Sequence, residues 1–249
     1  MILGALLAAA TGCAWLRSPA SPMSAQAFTD LGPARARGVV VLMPGFGDRP
    51  ADFDKNGFVR ALRQLAPEHD VVAADAHFGY YRAGSVVAEL HDHVVGPLIA
   101  RGYREVWLSG VSMGGHGAIA YARSHPERVT GLLLLAPYMG PKDVVAAVAG
   151  AGGLCAWHAS SDFAQDAPGF ALANFAWLQA VVCRPGAQVS LWLGVGESDH
   201  LLAADRLLGD VLPADRFVRL PGGHGWEVWV PALEKLVSRS FSRPDQLSP

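Results

Sequence analysis

Charge is scarce in this sequence. Only 17% of its 249 residues are Asp, Glu, Lys or Arg, and 20 basic residues against 22 acidic ones leave a formal net charge of −2. The charges are mixed along the chain, with no basic run, so the electrostatic footprint of nucleic-acid binding is missing. Cysteine is rarer still. Three residues make neither a disulfide-dense scaffold nor a Cys-rich metal cluster. No apolar run reaches the roughly 20 residues that a membrane-crossing helix needs. There is no H-E-x-x-H, and no Lys-Ser or Lys-Thr follows the Gly45-Phe46-Gly47 loop, so the zinc-protease and phosphate-loop signatures are both absent. What is abundant is apolar: 51% hydrophobic residues, with 28 Gly. That is the composition of a globular domain, and the length suits one domain of enzyme size.

The N-terminus carries the longest apolar stretch. Residues 1–10 read MILGALLAAA, then Thr11, Gly12 and Cys13 follow. An apolar run, small residues and a Cys resemble a bacterial lipoprotein signal. This implies a signal segment over residues 1–12, export, and a lipid anchor on Cys13. No Lys or Arg precedes the run, unlike a usual secretory leader, and a plain export signal or a cytoplasmic protein are the alternatives. Residues 13–37 hold Pro19, Pro22, Gly32 and Pro33 without a clear period and read as a tether or loose lead-in. Cys155 and Cys183 enclose 27 residues. They are either a disulfide in an oxidising compartment or two buried thiols.

Downstream, short apolar runs alternate with helical patterns. The runs are residues 39–43 (VVVLM), 70–74 (DVVAA), 106–109 (VWLS), 132–136 (LLLLA), 189–193 (VSLWL) and 217–220 (FVRL). Helical spacing fills residues 58–65, 85–100, 115–123, 201–208 and 228–237. Continuous apolar strands alternating with helices predict a mostly parallel, doubly wound α/β sheet covered on both faces. One stretch breaks the rhythm: about residues 138–188 are too long for a simple crossover and rich in aromatics. They read as a partly helical cap insertion over the mouth of the sheet, within a domain spanning residues 38–249.

The chemistry concentrates at strand ends. Residues 106–115 (VWLSGVSMGG) run from a strand through Gly110-Val111-Ser112-Met113-Gly114 into a helical pattern. This is G-x-S-x-G in its strand–turn–helix setting, a turn that thrusts the Ser112 hydroxyl out at the C-terminal edge of the sheet. A serine needs a base, and His224 stands in a Gly-rich loop after the last strand. The base needs a carboxylate, and Asp199 follows the preceding strand. Glu197 and Asp205 stand nearby, but Asp205 falls inside the next helical pattern. The order Ser112, Asp199, His224 is that of a nucleophile–acid–base triad on an open α/β sheet.

With MPGFGD (43–48), GVSMGGHGA (110–118), LLLLAPY (132–138), GVGESD (194–199) and PGGHGW (221–226) in this order, the chain resembles the α/β-hydrolase superfamily of serine esterases and lipases. The resemblance covers residues 38–239. It implies cleavage of a small-molecule carboxylic ester, thioester or lipid acyl ester through an acyl-enzyme, with no metal or cofactor. It also implies an oxyanion hole from the backbone N–H groups of Met113 and Phe46, with Gly45 as the alternative to Phe46. Gly45, His116 and Tyr138 are the candidates for contacting substrate. Acyl transfer, a cofactor-free peroxidase activity, or a non-catalytic binding role are the other readings open on this fold. Asp75, His77, Tyr80 and Tyr81 follow the second apolar run and read either as a solvated loop or as a pocket wall. His91 and His93 lie two apart on a helix and do not share a face, which argues against a metal there.

Overall fold

The structure is a computed structural model and describes residues 17–158, 167–184, 186 and 189–241. Its strands are β1 (Ala25–Ala27), β2 (Gly38–Met43), β3 (His69–Ala74), β4 (Glu105–Val111), β5 (Gly131–Leu135), β6 (Ser190–Gly196) and β7 (Phe217–Leu220). They form one sheet in the order β1-β3-β2-β4-β5-β6-β7. All pairs are parallel except β1 with β3. The helices are α1 (Pro50–Lys55), α2 (Phe58–Leu65), α3 (Phe78–Arg82), α4 (Val86–Leu90), α5 (Gly96–Ala100), α6 (Met113–Ser124), α7 (Lys142–Gly150), α8 (Ala167–Val182), α9 (Leu202–Gly209) and α10 (Trp226–Ser240).

The apolar runs explain the layering. Every residue of β2 and of β5 is buried. Side chains alternate across a strand, so Val39, Val41 and Met43 enter one core while Val40 and Leu42 enter the other. Residues of α1, α2 and α10 close one face, among them Phe53, Leu62 and Leu233. Residues of α4 to α9 close the opposite face, among them Leu90, Ile119, Phe175 and Leu208. This is the doubly wound α/β arrangement that the alternation predicts.

Three expectations need correction. Residues 85–100 do not form one α-helix. A π turn at His91–Val95 separates α4 from α5, and the Gly96 N–H bonds the His91 carbonyl five residues back. Pro97 has no N–H to continue the normal ladder. Residues 17–37 are not a tether either. Arg17 pairs with Asp75 at 2.9 Å, the Tyr80 hydroxyl donates to the Ala20 carbonyl at 2.7 Å, and β1 adds an edge strand to β3. The buried Asp70 carboxylate receives the Thr29 hydroxyl at 2.9 Å, the Leu31 N–H at 2.8 Å, the Gly32 N–H at 3.0 Å and the Tyr103 hydroxyl at 2.5 Å. Burial opposes its ionisation, but these donors outweigh burial and hold its carboxyl below the ordinary range. A lead-in without periodicity is thus fastened by single polar contacts, which no pattern announces.

The third correction concerns the segment after β5. It is partly helical, but its described part packs as a flanking layer rather than a cap. Val144, Val148, Ala171, Phe175 and Leu178 share a core with Leu132, Leu134 and Leu193 of the sheet. Residues 159–166, inside this segment, lie outside the described residues, as does Cys13. Cys155 and Cys183 are joined by a disulfide, their Cα atoms 5.5 Å apart, which ties the end of α8 to the loop after α7. Replacing both by Ser is expected to lower stability by about 3–4 kcal/mol, the loop-closure value for a ring of this size. Denaturant unfolding measures it, and an unchanged midpoint would show that the bond constrains nothing.

Candidate active site

Four loops meet at the C-terminal edge of the sheet. The first is the turn between β4 and α6. Ser112 sits there at φ 51° and ψ −116°, a region that residues with side chains avoid. The turn is possible because its flanks are bare. A Cβ on Gly110 would stand 2.4 Å from the Gly114 carbonyl, and one on Gly114 would stand 2.0 Å from the Met43 oxygen. The loop after β5 braces the turn from the side. The Ser112 N–H bonds the Leu135 carbonyl at 2.9 Å, and the Tyr138 N–H bonds the Ser112 carbonyl at 2.9 Å.

The loops after β6 and β7 bring the other two groups. They are laced together by backbone bonds, Glu197 N–H to Leu220 O at 2.8 Å and Ser198 N–H to Gly222 O at 2.9 Å. His224 Nε2 lies 2.9 Å from Ser112 Oγ. Its Nδ1 lies 2.8 and 3.0 Å from the two Asp199 oxygens. Asp199 Oδ1 also accepts the Leu201 N–H at 2.8 Å. Burial resists ionisation of the Asp199 carboxyl, but the His224 and Leu201 hydrogen bonds prevail and keep it below the ordinary range. Around the His224 ring stand Trp229 and His200, both edge-on, with centroids 5.0 and 4.6 Å away. The three residues named from the sequence are therefore one hydrogen-bonded chain.

A family model settles the wider assignment. The Esterase model, described as "Putative esterase", matches residues 80–239, well over half of the chain and including all three of these residues. The chain belongs to the Esterase family. The esterase shares its fold with solved serine hydrolases of the α/β-hydrolase superfamily. One is the fluorophosphonate-binding serine hydrolase F of Staphylococcus aureus, at TM-score 0.58 and 16% identity over 87% of this chain and 88% of that one. Another is Est1E from Butyrivibrio proteoclasticus, at TM-score 0.57 and 11% identity over 83% and 88%. A third is the S-formylglutathione hydrolase of Staphylococcus aureus, at TM-score 0.55 and 15% identity over 82% and 81%. No curated protein matches the chain. Family membership makes the esterase a hydrolase of small-molecule esters.

The remaining candidates in the esterase divide. Gly45 lies directly against the nucleophile, its Cβ position 3.5 Å from Ser112 Cβ. Phe46 follows it, 41% exposed, with its ring 4.9 Å from that of Phe78. Tyr138 touches the site through its backbone. His116 does not belong to an open substrate wall. It is buried in the seam between α6 and α8, beside Asn174 at 3.4 Å and the Phe170 ring at 5.1 Å. Burial pushes its imidazole down to about 4 despite a hydrogen bond to the Tyr138 backbone. Tyr80 is buried and its hydroxyl bonds the Ala20 carbonyl, and Asp75 is taken by Arg17, so these two hold the lead-in, while Tyr81 is partly buried against the core. Asp199, His200 and His224 have ligand-type atoms within 4.8 Å of one another. Both nitrogens of His224 already face Ser112 and Asp199, so this cluster is two members of the hydrogen-bonded chain with His200 beside them.

Two features escaped the sequence reading. Asp205 is completely buried, and neither carboxyl oxygen has a partner. Burial, with Asp199 nearby, pushes its carboxyl far up. Ala136 adopts φ 44° at the start of the loop that braces Ser112. The unpartnered carboxyl of Asp205 and the backbone strain of Ala136 are matters of three-dimensional surroundings, and neither Asp in a helix nor Ala after a strand signals them.

Proposed function

We propose that the esterase is a serine hydrolase working through an acyl-enzyme. Ser112 Oγ attacks the ester carbonyl while His224 takes its proton. The tetrahedral intermediate collapses, and His224 returns the proton to the departing alcohol. Water then enters by the same route in reverse roles and frees the acid. Asp199 holds the imidazole tautomer and offsets the imidazolium charge. The unbroken chain Ser112–His224–Asp199, with separations of 2.9 and 2.8 Å, is the observation that carries this reading.

The oxyanion in this proposal is met by two N–H groups. Met113 is the first residue of α6, where helix N–H groups have no intrahelical acceptor and the helix dipole favours negative charge. Phe46 lies in the loop against the serine. Each such donor contributes roughly 3 kcal/mol to the transition state. A fluorophosphonate probe tests the assignment: it should label the wild type and leave Ser112→Ala untouched. No labelling of folded wild type would reject a catalytic serine. Nitrophenyl esters of rising acyl length, with a thioester for comparison, then define the substrate class.

The proposal extends to location. The Cys155–Cys183 disulfide supports an oxidising compartment. Arg17 packs at the same sheet edge as Ser112, on Asp75 and against Gly79. Cys13 is four residues upstream of Arg17 in the sequence. A lipid on Cys13 would hold the catalytic mouth close to the membrane. Incorporation of a palmitate analogue into wild type but not into Cys13→Ser is the expected result. An unlabelled wild type would remove the anchor and leave the triad reading intact.

A further inference from the structure

We propose that His200, Asp199 and His224 form an inhibitory site for Zn²⁺, in which the metal captures the catalytic histidine. The inference rests on the serine-hydrolase reading and adds a means of regulation at the same site.

His200 comes directly after Asp199, and the sequence offers it no partner at ligand spacing. The fold supplies one from the loop after β7. The His200 and His224 rings meet edge-on with centroids 4.6 Å apart, and Asp199 lies against both. Its Oδ1 is 3.6 Å from His200 Nδ1, and its Oδ2 is 2.8 Å from His224 Nδ1. These ligand-type atoms all lie within 4.8 Å of one another. Two imidazoles and a carboxylate, with a fourth position left to water, are a donor set that suits Zn²⁺. Tetrahedral zinc with bonds of about 2.1 Å holds its ligand atoms about 3.4 Å apart. The Asp199–His224 pair must then open by about 0.6 Å. His200 is free to close the third side, because its side chain is 69% exposed while that of Asp199 is fully buried. A cation can therefore arrive from solvent along His200 and meet the buried carboxylate beneath it.

The inhibition follows from where the ring hydrogen must go. An ionised Asp199 only accepts, so the single hydrogen of neutral His224 lies on Nδ1. The Nε2 lone pair then faces Ser112 Oγ at 2.9 Å. Zn²⁺ needs the lone pair of Nδ1. As Nδ1 replaces one water on the metal, its hydrogen passes to solvent and Nε2 takes one up. The ring stays neutral, and no electron changes hands. A hydrogen on Nε2 removes the acceptor for the serine proton, so attack on the ester stops. Mg²⁺ and Ca²⁺ favour oxygen ligands and fit two imidazoles poorly.

The test is hydrolysis of a nitrophenyl ester titrated with ZnCl₂ in a non-chelating buffer, with calorimetry of Zn²⁺ binding alongside. Wild type is expected to slow by at least about tenfold at saturating Zn²⁺ and to recover with EDTA. His200→Ala keeps the triad, so its kcat without metal should stay within about threefold of wild type. Its inhibition constant for Zn²⁺ should rise by at least about tenfold, the least that loss of a group supporting a metal costs. Mg²⁺ at the same concentrations should leave the rate unchanged. Ser112→Ala retains all three ligands and reports binding without turnover. It should take up one Zn²⁺ more than the double variant Ser112→Ala with His200→Ala. Full activity at high Zn²⁺, equal inhibition of wild type and His200→Ala, equal inhibition by Mg²⁺, or equal Zn²⁺ uptake by the two Ser112→Ala proteins would each overturn the proposal. A folded wild type without esterase activity would instead strike the serine-hydrolase reading, while calorimetry on Ser112→Ala would still decide the metal site.

Discussion

Ser112→Ala is expected to lower ester hydrolysis by about 10⁴- to 10⁶-fold while the protein remains folded. The hydroxyl is 2.9 Å from the base, and nothing else in the triad can attack a carbonyl in its place. Folding should survive because the turn is held by backbone bonds and by bare glycine flanks, not by the hydroxyl. A companion variant separates chemistry from strain. Ser112 is held at φ 51°, a conformation that costs residues with side chains of the order of 1–3 kcal/mol. Ser112→Gly removes that cost, so it should be as inactive as Ser112→Ala and yet melt at a higher temperature. Residual hydrolysis above a few per cent of wild type in either variant would refute the nucleophile assignment. Equal melting temperatures would refute the strain argument alone.

Asp199→Asn should cost about 10⁴-fold in kcat, as loss of the acid does in comparable triads, because the amide favours the wrong imidazole tautomer. Asp205→Asn, six residues on, should leave kcat nearly unchanged and act on stability instead. The sign follows from linkage. The Asp205 carboxyl is raised by burial, so above the unfolded value of about 3.9 the folded protein holds a proton that the unfolded chain has lost. The contribution of Asp205 to wild-type stability is therefore fully present below about pH 4 and is eroded as pH climbs toward the folded value, by at most about 1.4 kcal/mol per unit. Asn cannot ionise and is free of this erosion. The melting temperature of Asp205→Asn minus that of wild type should thus grow as pH rises above about 4. A difference that shrinks with rising pH would mean Asp205 is ionised in the native state. A kcat loss in Asp205→Asn matching that of Asp199→Asn would mean the acid has been misassigned.

The two aspartates show how far the residue pattern reaches. Asp199 and Asp205 both follow β6, and only the helical spacing of residues 201–208 separated them. Asp199 emerges from the loop before α9 and bonds His224. The spacing said nothing of Asp205, which α9 turns inward, away from every donor. His116 is the converse case. Its place near the nucleophile suggested substrate contact, but α8 covers it. α8 comes from a distant stretch that had looked like a cap.

What the sequence determined by itself was whatever depends on local period and local backbone. Continuous apolar runs specified strands buried on both faces, and period-two alternation within them assigned each residue to one core or the other. The glycines at 110 and 114 specified the sharp turn at Ser112, because no other residue fits so close to Met43 and Gly114. The strand ends then placed Asp199 and His224 on the same edge. Only the tertiary structure decided what single, long-range polar contacts control. It turned residues 17–37 from a lead-in into a strap held by Asp70, Asp75 and Tyr80, and it joined Cys155 to Cys183. Such contacts have no period, and each depends on where a distant segment happens to pack.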